Sequence, residues 1–364
     1  MKTLSWVTAD YFVETDIHTI PLLLNEYNIE WYIVSAFENI DYHAELEKLI
    51  ESHDNLHIHR VCTGASLFSW YSIKKYVKLL RMVSKNKSSA VYSSILNFPY
   101  IPLSIFFYNR RNTIFAAHNV HVPKGVSHPT LTKLYQDFAM RWYRNYQTFS
   151  QSQYNLLRAT YKNKNVFYAP FVLKDYGTAK KTPDEEIVTF LNFGRIRGYK
   201  CIDVLIRAAE KVQEVTQKKF KVIIAGECND WINYQKFIKH PGLFELHIEN
   251  IPNDQIPDLF GRTHYTVLPY QDIAQSGALM VCINYSKPSI LSKLPAFEEI
   301  LTDGKDSFFI DPANEDQLVK RMIYCVEHHN EIYPQLVNNL NKMKSEQFSK
   351  EAIAQKYIEF LDKI

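Results

Sequence analysis

Glycine is scarce in this sequence. It has 10 glycines in 364 residues, where average usage would give about 25. The first predicted strand-to-helix turn, residues 8–16, has none. A Gly-x-Gly-x-x-Gly dinucleotide loop is therefore missing, and so is a Walker phosphate loop. These absences argue against a nicotinamide-dependent dehydrogenase and against a P-loop NTPase.

Paired cysteines and long apolar segments are also lacking. The residues before the first strand pattern have no apolar core of the signal-peptide type. The longest apolar run, residues 95–108, holds two prolines and an asparagine and falls short of a membrane span. The cysteines are scattered and predict a reduced, cytoplasmic setting; they are Cys62, Cys201, Cys228, Cys282 and Cys325.

Acidic residues are almost missing from one long stretch. Residues 55–174 hold 17 lysines and arginines against a single acid, Asp137, although the net charge of the chain is only +3. Within this stretch, residues 71–87 have helical spacing, with Ile73, Val77, Leu80 and Ser84 on one side and with Lys74, Lys75, Lys78, Arg81 and Lys85 elsewhere. Two interpretations are open: a basic amphipathic helix on anionic lipid, or a solvated helix whose apolar stripe packs inward. No nucleic-acid-binding signature is present, so nucleic acid is not a predicted partner.

Short strands and helices alternate on both sides of a polar segment at residues 174–186, which we predict to be the linker between two domains. Repeated strand-helix alternation predicts parallel sheets covered by helices on both faces. The fold class is therefore α/β, with two doubly wound, Rossmann-like domains that face each other across a ligand cleft. We predict a first domain at residues 1–175, a second at residues 176–345 and a C-terminal helix within residues 346–364.

Two strand-to-helix turns in the second half suggest a phosphate site. A strand at residues 188–192 is followed by Gly194, Arg195 and Lys200, and a strand at residues 265–268 is followed by Gln275-Ser276-Gly277 and a small-residue helix. Backbone amides at a helix start attract anions, and the cations of the other turn add to that attraction. Together the two turns could clamp a diphosphate.

These elements resemble the family 4 retaining glycosyltransferases of the GT-B fold, most clearly over residues 187–311. In that family the Arg and Lys of a G-R-x-x-x-x-K-G element grip the donor diphosphate, which implies Arg195 and Lys200 here. The resemblance further implies phosphate contacts from the helix-start amides and a sugar-facing His118 in A-H-N-V. It also implies that the first domain binds the acceptor, that the second domain binds the donor, and that the C-terminal helix crosses back to the first domain.

The sequence departs from the family at several positions. The paired glutamates of the family's E-x7-E element would fall on Ala274 and Cys282, and Cys201 replaces the glycine after the lysine. Nearby acids that could substitute are Asp272, Glu298 and Glu299 of P-A-F-E-E-I, although acids near a helix start can also simply complement its dipole. The predicted catalytic residues are His118, Arg195, Lys200 and Glu299. The predicted donor-binding residues are Gly194, Gln275, Ser276, Gly277, Ala278 and Glu298.

The resemblance implies transfer of a sugar from a nucleotide-diphosphate sugar to a saccharide or lipid-linked acceptor, with retention and without a metal or further cofactor. We expect such a transferase in cell-surface polysaccharide assembly, with the anionic inner face of the membrane as a candidate partner of the basic first domain. His118 and His121 could form a metal pair, but no cysteine or acid lies at ligand spacing, so no metal is predicted. Two alternatives stay open: a non-catalytic GT-B relative that serves as a scaffold, and a sugar-nucleotide epimerase.

Overall fold

The chain divides into two compact units. The computed structural model describes residues 1–37, 43–64, 69–96, 100–120, 129–273 and 276–364. The N-terminal unit comprises Met1–Val172 together with Lys350–Ile364, and the C-terminal unit comprises Leu173–Ser349. The assignment of acceptor binding to one and donor binding to the other stays a prediction.

A parallel sheet forms the centre of the N-terminal unit. Its order is β3-β2-β1-β4-β5-β6-β7, so the strand order reverses beside β1. Side chains of β1 alternate between two cores, with Leu4 and Trp6 in one and Val7 and Ala9 in the other. Both faces are apolar because helices cover both sides of a parallel sheet. The strands are β1 (Lys2–Ala9), β2 (Tyr27–Ser35), β3 (Leu56–Cys62), β4 (Ala90–Ser93), β5 (Thr113–Ala117), β6 (Asn145–Thr148) and β7 (Asn165–Tyr168).

Helices connect these strands. They are α1 (Val13–Thr19), α2 (His43–Glu51), α3 (Trp70–Lys85), α4 (Tyr100–Ser104), α5 (Pro129–Trp142) and α6 (Gln151–Thr160). Buried side chains of α3, α4, α5 and α6 all belong to the core that contains Val7, so these four helices cover the same face of the sheet. Throughout the described ranges, the helices are too short or too polar to cross a membrane.

The C-terminal unit repeats the same plan with a six-stranded parallel sheet ordered β10-β9-β8-β11-β12-β13. Its strands are β8 (Val188–Phe193), β9 (Phe220–Ala225), β10 (Phe244–His247), β11 (Tyr265–Leu268), β12 (Ser289–Ser292) and β13 (Ser307–Ile310). Its helices are α7 (Ile202–Val215), α8 (Ile232–Gln235), α9 (Ile256–Gly261), α10 (Gly277–Asn284), α11 (Pro295–Glu298), α12 (Glu315–Glu327) and α13 (His329–Gln347). The prediction of two doubly wound α/β domains is confirmed.

The last helix, α14 (Lys350–Leu361), returns to the N-terminal unit. Its Ile353 and Tyr357 are buried in the core that contains Leu4. The Gln147 side-chain amide of β6 donates a hydrogen bond to the Tyr357 hydroxyl over 2.6 Å. The predicted return of the C-terminal helix to the first domain is thereby confirmed.

Helix α3 packs inward through only part of the side that the spacing marks as apolar. Its buried side chains include Tyr76, Leu80 and Val83, whereas Ile73 and Val77 are only half-buried. Of the marked residues, Leu80 therefore packs inward, while Ile73 and Val77 stay partly exposed. Tyr76 takes a central place in the packing, because its large ring fills the core beside Tyr100, with ring centroids 5.9 Å apart.

Candidate functional site

Two turns meet at the carboxyl ends of β8 and β11. These strands pair in parallel, with Phe190 opposite Tyr265, and the strand order of the sheet reverses between them. Ligands of doubly wound sheets bind outside the carboxyl ends at such a reversal. The turn after β8 begins at Gly194, and the segment after β11 leads into α10.

The turn after β8 is packed backbone to backbone against the turn after β9. The Gly194 amide donates to the Ala225 carbonyl over 2.8 Å, and the Ile196 amide donates to the Glu227 carbonyl over 2.9 Å. Gly194 has φ +102° and Gly226 has φ +153°, and a Cβ on Gly226 would lie 2.4 Å from the Gly194 carbonyl oxygen. Only glycine fits this approach, so the sparse glycines are placed where the backbone of the site needs them.

Lys200 is the buried cation of this site. Its residue is only 7% exposed, and its Nζ lies 5.4 Å from the centroid of the Tyr270 ring. Burial, assisted by the nearby Arg197, lowers its pKa to about 8. Across the described ranges, no carboxylate lies within ion-pair distance of Lys200. A buried cation without a counter-ion is costly, and a bound anion would remove that cost.

The start of α10 lies beside this lysine. A Cβ on Gly194 would lie 3.2 Å from Lys200 Nζ and 3.9 Å from the Ala278 Cβ, which brings the two turns together. Ser276 caps the helix, because its hydroxyl accepts from the Leu279 amide over 3.2 Å. The amides of Gly277 and Ala278 precede the first intrahelical hydrogen bond and are suited to bind an anion.

Arg195 takes a different orientation from Lys200. Its side chain is 62% exposed and forms an ion pair with Glu227 in the turn after β9. The guanidinium therefore lies at the rim of the site and shares its charge with a carboxylate. Gln275, the remaining predicted residue of the α10 turn, lies outside the described residues.

Two cysteines stand where family 4 enzymes carry other residues: Cys201 at the glycine position and Cys282 at a glutamate position. Cys201 has φ +52° and ψ +47°, a left-handed conformation that favours glycine and costs other residues about 1 kcal/mol. Cys282 is fully buried. Burial raises its pKa to about 12, while contacts with Thr266 and Ser289 act in the opposite direction. Position 282 therefore carries a neutral thiol in the core, and Ala274 lies outside the described residues.

The predicted acidic substitutes lie in and beside α11. Glu298 is in its first turn, with its carboxylate 4.0 Å from Lys293 Nζ. Glu299 is half-buried, and its amide donates to the Pro295 carbonyl over 3.1 Å. Asp272 is exposed in the segment after β11. Their roles in donor binding stay predictions, and Glu298 has the surroundings of a surface carboxylate.

Comparisons with known proteins agree with this geometry. Residues 176–343 match the family model described as glycosyl transferases group 1. Sucrose-phosphate synthase from Thermosynechococcus elongatus aligns with a TM-score of 0.79 and 10% identity over 100% of this chain and 99% of its own. A glycosyltransferase from Rickettsia africae aligns with a TM-score of 0.75 and 14% identity, over 100% and 98% of the chains.

The Anabaena protein HepE, in complex with UDP-glucose, aligns with a TM-score of 0.73 and 14% identity over 100% of both chains. The fold is that of the GT-B glycosyltransferases. The family match and the structural similarity together support a GT-B glycosyltransferase. No curated protein sequence matches the chain.

His118 belongs to the N-terminal unit of this GT-B fold and follows β5. Its ring stacks on Phe149, with centroids 5.0 Å apart, and meets the edge of Phe12 at 4.2 Å. Burial lowers its pKa to about 4. The imidazole is therefore neutral near pH 7, which favours a role in hydrogen bonding over one as a proton donor.

Metal ligation has no support in the described parts of the chain. No group of three or more histidine, cysteine, aspartate or glutamate side chains is placed there to hold a metal ion. His121, the second member of the possible metal pair, lies outside those parts.

Three further residues near Gly194 and the start of α10 were missed from the sequence. Lys174 Nζ lies 3.6 Å from the position of a Cβ on Gly277, although residues 174–186 were predicted to be a linker. Tyr270 lies under Lys200, and Glu227 pairs with Arg195. Of the three, only Glu227 is marked by the local sequence, because it follows Gly226, the glycine directly after β9.

Proposed function

We propose that this protein transfers a sugar from a nucleotide-diphosphate sugar to a saccharide or lipid-linked acceptor, with retention at the anomeric carbon. The observation that carries the proposal is the buried Lys200 beside Gly194 and the start of α10. Such a site offers a full positive charge and backbone amides at one point. A diphosphate matches both.

The proposed chemistry depends on the charge of the leaving group. Breaking the bond between the sugar and the diphosphate develops negative charge on the phosphate oxygens. Lys200 is protonated at neutral pH even with its pKa lowered to about 8. Together with the Gly277 and Ala278 amides, it would provide preorganised electrostatic stabilisation of that charge. Arg195 at the rim would also contact the phosphate oxygens once its ion pair with Glu227 is broken.

The donor class is supported by the fold neighbours. HepE of the same fold binds UDP-glucose, so a uridine nucleotide is the first donor to test. We further propose family 4 membership, front-face transfer with retention, catalysis without a metal and a role in cell-surface polysaccharide assembly. These finer points rest on the resemblance of the G-R-x-x-x-x-K and Q-S-G elements to family 4 enzymes.

Thermal unfolding against nucleoside diphosphates and their sugars tests the donor site. A ligand at about 100 times its Kd stabilises the folded state by roughly 2.7 kcal/mol. We expect a base-specific rise in Tm with one diphosphate and its sugar, and no rise with the matching nucleoside, which lacks the phosphates. An unchanged Tm with every diphosphate would reject the proposal.

Turnover separates the proposed transfer from the two alternatives. The buried thiol of Cys282 at a glutamate position favours a non-catalytic scaffold as the second candidate. A scaffold would bind the nucleotide without consuming the sugar nucleotide, and an epimerase would convert it with no acceptor present. Transfer requires release of the nucleoside diphosphate that depends on an added acceptor, with the anomeric configuration of the product read by NMR.

A further inference from the structure

The outer surface of α3 exposes both apolar and basic side chains. Trp70 is 71% exposed at the start of the helix, followed by Tyr71. A groove of about 600 Å³ runs along the helix and is lined by apolar and basic side chains: Trp70, Ile73, Val77, Met82, Lys74, Lys78, Arg81 and Lys85. Within the described ranges, none of these four cations pairs with a carboxylate. The surface is therefore amphipathic and carries uncompensated positive charge.

Helix α5 exposes a second apolar stripe. Leu134 is 69% exposed, and Phe138 and Trp142 follow at four-residue intervals with 40% and 39% exposure. The rings of Phe138 and Trp142 stack at 6.4 Å, and the Arg110 guanidinium lies 5.8 Å from the Trp142 ring. Residues four apart lie on one side of a helix, so these side chains form a continuous exposed row.

Helices α3 and α5 lie in one layer of the N-terminal unit, with α4 in contact with both. All three cover the same face of the sheet. Phe106 follows α4 in the sequence and is 76% exposed. We name this surface the aromatic–basic face; it comprises Trp70, Tyr71, Lys74, Lys78, Arg81, Phe106, Leu134, Phe138 and Trp142.

The composition of the aromatic–basic face suits the surface of a lipid bilayer. Tryptophan and tyrosine are enriched where apolar chains meet water, since their rings have apolar bodies and polar tips. Lysine and arginine extend apolar stems and keep their charges in water. The single acid of the surrounding stretch, Asp137, accepts a hydrogen bond from the Tyr161 hydroxyl over 2.6 Å. Anionic lipid is therefore complementary in charge.

We propose that the aromatic–basic face binds the surface of an anionic lipid bilayer. The aromatic and leucine side chains would enter the interface between headgroups and acyl chains, and the lysines and arginines would contact the lipid phosphates. The face lies wholly within the N-terminal unit. Its binding to lipid is independent of the proposed donor site and can be measured without a nucleotide.

Sedimentation with vesicles tests the proposal on the full-length protein. The probes are vesicles of phosphatidylcholine alone and vesicles of phosphatidylcholine and phosphatidylglycerol in equal parts. We expect binding to the anionic vesicles, weaker binding to the neutral ones and a decrease as sodium chloride is raised. No binding to the anionic vesicles would overturn the proposal.

Charge reversal distinguishes this face from general electrostatic attraction. Lys74→Glu with Lys78→Glu should weaken binding to the anionic vesicles by about tenfold or more. Lys305→Glu with Lys320→Glu changes the net charge equally in exposed positions of the C-terminal unit and should leave binding within about twofold of wild type. Equal losses in the two double variants would reject this face as the contact.

Apolar contacts are tested by a second matched pair. Trp70→Gln with Leu134→Gln should weaken binding by about tenfold or more, since burial of apolar surface in the bilayer interface favours binding. The control is Val215→Gln with Ile232→Gln, which removes two side chains of 65% and 73% exposure from the C-terminal unit. Unchanged vesicle binding in the first variant would contradict the proposal, whatever the control does.

Other occupants of the face give different results. If light scattering shows that Trp70→Gln with Leu134→Gln converts a dimer into a monomer while wild type ignores vesicles, the face is a protein interface and the proposal is wrong. Retention of a single-stranded oligonucleotide without vesicle binding would equally overturn it. A shift of Trp70 fluorescence to shorter wavelength on anionic vesicles, lost in Trp70→Phe, would place this side chain in the bilayer interface.

Discussion

Lys200 lowers the stability of the folded protein and at the same time favours the binding of an anion. Its ammonium is buried, and no carboxylate compensates it among the described residues. Such a charge destabilises the protein as long as the site is empty. The same burial strengthens its attraction for an anion, because the surrounding dielectric is lower than that of water.

Lys200→Met should separate these two effects. Methionine keeps the length of the side chain and removes the charge, so we expect the free energy of unfolding at pH 7 to rise by roughly 2–3 kcal/mol. The thermal shift produced by a nucleoside diphosphate should disappear in the same variant. Chemical denaturation and thermal unfolding with UDP measure the two quantities. A less stable variant, or one that keeps its nucleotide shift, would contradict the role assigned to Lys200.

The pH dependence of stability offers an independent check on Lys200. Its folded pKa is about 8, below the ordinary value of 10.5, so the unfolded chain binds more protons between these values. Wild-type stability therefore gains a contribution as pH rises from about 8 to 10.5. Lys287 has a similarly lowered pKa because of burial. The gain must accordingly be measured as the difference between wild type and Lys200→Met, and a constant difference over that range would refute it.

The ion pair between Arg195 and Glu227 competes with phosphate for the guanidinium. Both side chains are substantially exposed, so the pair is worth about 1 kcal/mol or less. Glu227→Gln should free Arg195 and tighten nucleoside diphosphate binding by up to about fivefold. Titration calorimetry measures this, and Glu249→Gln is an exposed control of equal charge change in the same unit. Weaker binding in Glu227→Gln would instead indicate that Glu227 contacts the ligand.

The individual residues of the site were only partly predictable. Gly194 and Lys200 follow a strand at recognisable spacing, and the sequence indicates both. Lys174 is the first residue of the predicted linker, and its ammonium lies near Gly277, a residue about a hundred positions away in the sequence. The pairing of Arg195 with Glu227 depends on β8 and β9 lying side by side. Contacts of this kind arise from tertiary packing and leave no local pattern.

The adjoining turns after β8 and β9 form a tightly constrained element of the C-terminal unit. Gly226→Ala places a Cβ 2.4 Å from the Gly194 carbonyl oxygen and 3.2 Å from the Arg195 amide. We expect a loss of about 2–4 kcal/mol in unfolding free energy and weaker nucleotide binding, because the Gly194 turn must move.

Gly198→Ala is the matched control for this element. Among the described atoms, none lies within 4 Å of its Cβ position, and its φ is not in the left-handed region. Its stability should be unchanged or raised by about 0.4–1 kcal/mol. Equal unfolding free energies of the two variants in denaturant titrations would show that the close approach of the turns does not contribute to stability.

Strands were more predictable than helix orientations. Buried parallel strands are short runs of apolar and β-branched residues, and the predicted strand at residues 265–268 coincides with β11. The inward side of α3 was only partly predictable, because apolar residues are spread around the helix. Hydrophobic spacing alone does not show that Tyr76 packs inward while Ile73 stays half-buried.

The whole chain contains two units with separate cores, and α14 contributes to the first of them. Tyr357 is 3% exposed, accepts a hydrogen bond from Gln147 and lies 5.3 Å from the Phe167 ring centroid. Tyr357→Ala should lower the unfolding free energy of the N-terminal unit by about 3–4 kcal/mol. The corresponding fall in its Tm is about 6–12 °C.

Tryptophan fluorescence can follow that unit, because four of the five tryptophans lie in it and Trp231 lies in the other. Calorimetry in the presence of UDP identifies the transition of the C-terminal unit. Tyr357→Phe removes only the hydroxyl and should cost about 1 kcal/mol. Equal destabilisation of both units by Tyr357→Ala would show that they unfold as one cooperative body.

The return of α14 also means that the N-terminal unit is completed after the C-terminal unit during synthesis. The C-terminal unit is one continuous segment, Leu173–Ser349, whereas the N-terminal unit draws on both ends of the chain. A ribosome releases Tyr357 only after every residue of the C-terminal unit has been made. Until α14 has been made, the first core therefore lacks one helix, and Trp6 and Phe167 lack the Tyr357 ring that packs beside them.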